Sequence, residues 1–225
     1  YQDVFREDVV SRFIGDYAAG RTPNPCVRCN DTVKFKTLLK RAQMLGADYL
    51  ATGHYARTLV ADDGSVSLWR GVDASKDQTY FLAGMSQDAL QKVVFPLGGM
   101  TKDEVRGHAK QLGLATAGKR ESQEICFVPN DDYAAYLEDS AGDSLSGAGP
   151  IISVDGLRLG QHKGLHRYTV GQRRGLGISG PEARYVVGLD TESNALMVGS
   201  KEDVRFAGLW AADERWLGGV PGSER

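Results

Sequence analysis

The residues most able to do chemistry in this 225-residue chain are its three cysteines. Cys26 and Cys29 stand three apart in "RTPNPCVRCNDTVKF", directly after a Pro-Asn-Pro run, and Cys126 follows far downstream in "KRESQEICFVP". A C-x-x-C pair on a turn lets two thiolates point the same way, which serves zinc, iron–sulfur clusters and thiol exchange. Structural zinc wants four protein ligands, and no second C-x-x-C or neighbouring His pair supplies them. Three cysteines would leave one metal position open, as catalytic centres do. The plainer reading of Cys126, between Ile125 and Phe127, is a buried strand residue.

Three other stretches carry polar groups in suggestive places. In "ATGHYA", Gly53 and His54 follow a strand-like segment, where a glycine permits close approach of a ligand. His54 reads there either as a polar group satisfied within the fold or as a ligand contact. In "SKDQTYFL", Lys76, Asp77 and Gln78 precede Tyr80 and Phe81, a set that suits a phosphate backbone or simply a turn entering a helix. From Gly156 to Pro181 there is no Asp or Glu, yet Arg158, His162, Lys163, His166, Arg167, Arg173 and Arg174 fall within it. Such a stripe suits phosphates or a solvated loop face.

The elements that must position these groups alternate helix and strand. Val4, Phe5, Val9, Val10, Phe13, Ile14 and Tyr17 recur at helical spacing, ending at Gly20. "RTPNP" predicts a turn, after which Asn30 or Asp31 caps a helix carrying Phe35, Leu38, Leu39, Ala42 and Leu45. "ADYLATGH" predicts a buried strand running into a glycine turn, and Thr101 with Glu104 is a capping-box signature. "QEICFVP" predicts a short core strand, followed by a helix over "DDYAAYLED". This is the rhythm of an α/β domain, whose ligands gather at the C-terminal ends of strands. Composition shifts near Ser140. Beyond the linker-like "SAGDSLSGAGP", hairpins are predicted around Asp155-Gly156 and around Thr191–Asn194.

Bulk properties narrow the class. Net charge −2, with 41% apolar and 25% charged residues, fits a soluble globular protein and excludes a uniformly basic nucleic-acid binder. No apolar run approaches the roughly 18 residues of a membrane span. The odd cysteine count argues against a disulfide framework and fits a reducing cytoplasm. The chain opens mid-helix without methionine and closes on "WLGGVPGSER", so the first strands of its sheet are expected to be missing.

Six ordered blocks, "NPCVRCNDTVKF", "YLATGHYAR", "KDQTYFL", "FPLGGMTKDEVR", "ESQEICFVP" and "HRYTVGQRRGLGI", closely resemble the tRNA-specific 2-thiouridylases. The resemblance covers the chain from about residue 1 to its end. It implies an adenine-nucleotide alpha-hydrolase-like α/β domain of the PP-loop ATP pyrophosphatase kind, truncated at its start, over residues 1–139. It further implies a β-rich central domain over 140–205 and the beginning of a C-terminal β-barrel over 206–225. The family's S-G-G-x-D-S phosphate loop is absent here.

The implied activity is ATP-dependent adenylation of the wobble-uridine C2 oxygen in tRNA, followed by sulfur transfer. A sulfur-relay protein or cysteine desulfurase would load a persulfide on Cys126. Cys29 would then act as nucleophile, and a Cys29–Cys126 disulfide would form during turnover. By the same matching, Gly53 contacts ATP, which comes with Mg2+, and His54, Lys76, Asp77 and Gln78 contact tRNA. Asn24, Pro25 and Cys26 border the target base. Many family members carry Asp where this chain has Cys26, and a thiol does not replace a carboxylate as acid or base. Either Cys26 is spare, or Cys26, Cys29 and Cys126 hold a 4Fe–4S cluster that carries the hydrosulfide. Two other readings remain: a synthetase-type PP-loop pyrophosphatase, and an inactive RNA-binding fragment.

Overall fold

The computed structural model describes residues 1–119, 125–209, 211–212 and 216–217. They form two compact units: Tyr1–Val9 with Pro25–Gln123 and Ala212–Arg225, and Val10–Asn24 with Glu124–Ala211. The chain opens in helix, as predicted, with α1 (Gln2–Phe5), a π-helical stretch over Arg6–Ser11 and α2 (Arg12–Ala18). The unit boundary falls inside the π stretch. Gly20 ends this helix with φ 71°, the left-handed conformation that glycine adopts without strain.

In the first unit the sequence-based turn at 21–25 is shorter than expected. Helix α3 (Pro25–Arg28) begins at Pro25 and continues without a break through a π-helical stretch, Cys29–Leu38, into α4 (Leu39–Met44). Proline is well suited to a first helical turn, where its fixed φ is helical and its missing N–H has no partner to lose. Cys26 and Cys29 therefore sit on helix rather than on a turn, and the Asn30 or Asp31 cap is not used. The buried face of this helix carries Asn30, Thr32, Phe35 and Leu39.

The predicted strand shrinks to β1 (Leu50–Ala51). A hairpin absent from the sequence reading follows: β2 (Ala56–Val60) pairs antiparallel with β3 (Val66–Arg70). After α5 (Gln87–Leu90), β4 (Val93–Val94) pairs parallel with β1, Leu50 opposite Val93 and Ala51 opposite Val94. A parallel pair needs a crossover connection, so this is the α/β character that the sequence rhythm implied. Phe35, Leu39, Ala56, Leu82, Met85, Leu90, Val93 and Phe95 form the core. Helix α6 (Lys102–Gln111) opens on the predicted capping box, Thr101 accepting from Glu104 N–H and Glu104 from Thr101 N–H.

The second unit holds α2 and α7 (Tyr133–Ala141), the latter capped by Asp132, whose carboxylate accepts Ala135 N–H at 2.9 Å. Its sheet has β5 (Gly149–Ser153), β6 (Arg158–His162), β7 (Tyr185–Asp190) and β8 (Ala195–Gly199) in the order β6-β5-β8-β7. Both predicted hairpins are present, and β5 with β8 adds a parallel pairing between them. The predicted strand over "QEICFVP" is not. Residues 120–124 lie outside the described residues, and Ile125–Val128 form a turn that enters a 3-10 segment at Pro129–Asp131. Pro129 has no N–H for a ladder, and Asn130 and Asp131 both take positive φ, 56° and 59°, so the chain reverses instead of extending. Most of 206–225, expected to open a barrel, lies in or beside residues that are not described.

Candidate active site

Each cysteine is set by its local element. Cys26 is exposed and Cys29 half-buried, one helical turn apart on adjoining segments and hence on neighbouring parts of one face. Asn30, next to Cys29, is buried and donates from Nδ2 to the Phe81 carbonyl at 2.9 Å, which pins this turn to the 79–82 segment. Its Oδ1 is buried with no partner among the described residues. Arg28 lies 3.7 Å from Asp8 and 4.0 Å from Asp31, and Thr32 Oγ1 donates to the Arg28 carbonyl. Beside Cys26, Pro25 is buried and Asn24 half-buried.

Cys126 stands in the second unit, exposed. Its neighbours Ile125 and Phe127 pack against the Phe13, Tyr17 and Leu137 core, with Phe127 edge-on to Phe13 at 5.3 Å and to Tyr136 at 5.7 Å. Anchoring both neighbours turns the thiol outward. The buried-strand reading of Cys126 is thereby overturned: the apolar flanks are half-buried and the cysteine is exposed. All three cysteines are thiols. Among the described residues no third His, Cys, Asp or Glu joins Cys26 and Cys29 as a metal site.

Gly53 and His54 follow β1 as expected. Gly53 is exposed, its φ is not positive, and among the described residues a Cβ there would touch only Leu97 Cδ1 at 3.6 Å. Among the described residues no contact requires glycine at 53. His54 is buried, its ring 5.8 Å from Phe35 and 6.0 Å from Phe95, with Nδ1 2.7 Å from Thr52 Oγ1. Burial first, then the charge of Lys34, pushes its pKa down to about 4. At neutral pH His54 is an uncharged imidazole. It can offer a hydrogen bond but no charge.

Asp77 and Gln78, half-buried with Lys76, are engaged with backbone. Asp77 accepts Gly71 N–H at 3.1 Å and the Thr79 hydroxyl at 2.7 Å, and Gln78 Oε1 accepts Tyr55 N–H at 3.0 Å. The basic stripe is also smaller than its composition. His162 and His166 are buried, the first bonded to the Asn194 carbonyl and Gly164 N–H, the second to Glu138. Arg167 pairs with Glu138 at 2.6 Å. Arg158, Lys163, Arg173 and Arg174 remain exposed.

Residues 1–130 match the family model described as tRNA methyl transferase HUP domain, and residues 135–200 that described as tRNA methyl transferase PRC-barrel domain. Proteins named "tRNA-specific 2-thiouridylase MnmA" are similar throughout. That of Geobacter metallireducens is 52% identical over 96% of this chain, that of Geotalea uraniireducens 49% over 98%, and that of Chloroflexus aurantiacus 48% over 100%. The chain belongs to the tRNA-specific 2-thiouridylase family. It spans 59% to 62% of the length of these three relatives. Membership in this family brings an adenine-nucleotide alpha-hydrolase-like fold followed by a small PRC-barrel-like domain. No helix among the described residues is long and apolar enough to cross a membrane.

From sequence Asn30 reads only as a candidate helix cap, and Thr52 and Tyr55 are not singled out. Asn30 adjoins a cysteine, and Thr52 stands two before His54 at a strand end. Those adjacencies were the only signals available.

Proposed function

We propose that this chain carries the sulfur-transfer part of an ATP-dependent tRNA 2-thiouridylase acting on a wobble uridine. The similarity near 50% across almost the whole chain to proteins of that name, over a stretch holding Cys29 and Cys126, carries the reading. ATP, with Mg2+, would supply adenylation of the uridine C2 oxygen, and Gly53 fits an approach by the nucleotide. His54 and Lys76 are the tRNA contacts, with Asp77 and Gln78 in the same loop, and Asn24, Pro25 and Cys26 border the target base.

In this reading a sulfur-relay protein or cysteine desulfurase loads sulfane sulfur on Cys126, whose exposure suits a partner-borne donor. The Cys29 thiolate attacks the inner sulfur of the Cys126 persulfide. The S–S bond of the persulfide breaks, a Cys29–Cys126 disulfide forms, and the released hydrosulfide attacks the adenylated C2, where the C–O bond breaks and AMP leaves, pyrophosphate having left at adenylation. A thiol reductant then restores both cysteines, as a cytoplasmic setting allows. A 4Fe–4S cluster on Cys26, Cys29 and Cys126 is the other route these thiols allow; no group of three His, Cys, Asp or Glu is gathered as a metal site among the described residues, and no step is routed through iron. Residues 1–139, 140–205 and 206–225 are our assignment of the nucleotide-binding, central and barrel portions.

The test loads the reduced chain with inorganic polysulfide, alkylates it and maps added sulfur by mass spectrometry. Retention of an unmodified tRNA transcript carrying a wobble uridine is measured beside it. Sulfur on Cys126 that is lost in Cys126→Ser, with tRNA retained, is the expected result. Sulfur confined to Cys26 and Cys29, or no tRNA retention, would overturn the reading.

A further inference from the structure

The run Lys76-Asp77-Gln78 spends two of its three side chains on the fold of its surroundings. Gln78 holds Tyr55 from both sides: its Oε1 accepts Tyr55 N–H at 3.0 Å, and its own N–H donates to the Tyr55 carbonyl at 3.0 Å. Only the oxygen of a carboxamide accepts, so the backbone donor fixes which way the Gln78 side chain faces. Asp77 joins the Gly71 backbone to Thr79 in the same loop. Gly71 itself lies flat on the Tyr55 carbonyl, where a Cβ would come within 2.9 Å of the oxygen. On the other side, a Cβ at Gly98 would overlap the Ala56 carbonyl. Tyr55 and Ala56 are thus fenced by Gly71, Gln78 and Gly98, and both are buried.

Tyr55 follows Gly53 and His54 directly. The segment has only two residues of strand before it, paired to Val93–Val94, with Thr52 N–H donating to the Val94 carbonyl, and the next backbone anchor is the grip on Tyr55. Removing the Gln78 acceptor would leave a buried backbone N–H unsatisfied, and the cheapest relief is movement of the preceding turn.

We infer that Gln78 is a positioning residue, acting through the Tyr55 backbone to set the Gly53–His54 turn rather than by touching RNA. This rests on the function proposed above, in which that turn meets nucleotide and tRNA. The contrary view gives Gln78 a direct contact, which would use the donor N–H groups of its carboxamide.

Two substitutions separate them. Gln78→Glu keeps an acceptor for Tyr55 N–H but has no N–H2 donors and adds negative charge. Gln78→Leu removes the acceptor at similar volume. In the ligand-free chain we expect Gln78→Leu to speed amide hydrogen exchange at Tyr55 by about tenfold and to shift the His54 ring 15N resonances. Gln78→Glu should leave both near wild type. Binding of the wobble-uridine tRNA transcript should weaken about tenfold in Gln78→Leu with an unchanged salt slope, and no more than about threefold in Gln78→Glu. Equal weakening in both variants, with Tyr55 exchange still slow in Gln78→Glu, would establish direct contact and overturn the inference. Unchanged Tyr55 exchange in Gln78→Leu would overturn it as well. Should Gln78→Leu not fold, Gln78→Asn, one methylene short of reaching Tyr55, makes the same comparison. A wild-type chain that binds no tRNA would defeat the proposed function, while the exchange measurement still decides the role of Gln78.

Discussion

Thr52 Oγ1 lies 2.7 Å from His54 Nδ1, and the imidazole it meets is enclosed by Phe35 and Phe95. A ring so placed hydrogen-bonds through one nitrogen and is costly to charge. The consequence for RNA recognition is specific. Under the proposed function, Lys76 would contribute to the salt-dependent part of binding, whereas His54 at neutral pH would contribute only geometry and a hydrogen bond.

The depressed pKa of His54 also fixes a pH dependence. Its ordinary value is 6.5 and its folded value about 4, so between these the unfolded chain binds more protons. Stability therefore rises with pH across that window. It is lost as pH falls from 6.5 towards 4, on a scale of roughly 3 kcal/mol, and the loss levels off below. Urea unfolding of wild type and His54→Gln across this range should show the wild type losing more. Parallel curves would mean that His54 is not held neutral.

Cys26 is exposed and Cys29 half-buried, so Cys26 should alkylate before Cys29, with Cys126 as readily modified as Cys26. Protein prepared without oxygen should hold negligible iron and acid-labile sulfide, and Cys26→Ser should leave polysulfide loading of Cys126 unchanged. About four iron and four sulfide per chain, lost in Cys26→Ser, would instead make Cys26 a cluster ligand.

Much of this architecture was legible because it obeys local rules. The capping box at Thr101, the α7 helix behind Asp132 and the Asp155-Gly156 hairpin each combine a side-chain signal with an apolar pattern. The β2–β3 hairpin carried the same kind of signal, Asp63-Gly64, with Gly64 at φ 80° and Asp63 accepting Ser65 N–H. Its pattern is weak because "ARTLV" and "VSLWR" are only partly apolar, the hairpin covering the core by one face. Cys126 misled for another reason. An apolar triplet reads as buried throughout, but the Pro129 turn lets Ile125 and Phe127 pack while the residue between them faces out. Sequence also does not reveal which polar side chains engage backbone, as Asp77 and Gln78 do.

Two consecutive non-glycine residues in left-handed conformation, Asn130 and Asp131, hold the turn that presents Cys126. Asn and Asp tolerate this region better than other residues with a Cβ, and β-branched residues tolerate it worst. Asp131→Val should destabilise the second unit by about 2 kcal/mol and change the alkylation rate of Cys126, while Asp131→Gly should leave stability within about 1 kcal/mol of wild type. Thermal unfolding followed alongside Cys126 labelling checks both. A harmless Asp131→Val would mean that the turn is not what sets the thiol.

Glu138 ties helix α7 to the 165–167 segment, its Oε1 accepting from His166 Nε2 at 3.0 Å and from Arg167 Nε at 2.9 Å. The His166 hydrogen bond first, then that of Arg167, holds its pKa below the ordinary carboxylate value of 4.5. A depressed carboxylate stabilises the fold above its ordinary pKa and loses that contribution as pH falls through its folded value. Tyr136 and Leu137, just before it on α7, belong to the cluster that anchors Phe127, so the same contact supports the platform beneath Cys126. Glu138→Gln retains shape but not charge. It should lower the unfolding midpoint at neutral pH, and the difference from wild type should vanish at a pH low enough to protonate Glu138. Near-ultraviolet dichroism from Tyr17, Tyr133 and Tyr136 would follow the second unit directly. A gap between variant and wild type that stays constant with pH would show that Glu138 acts by packing alone.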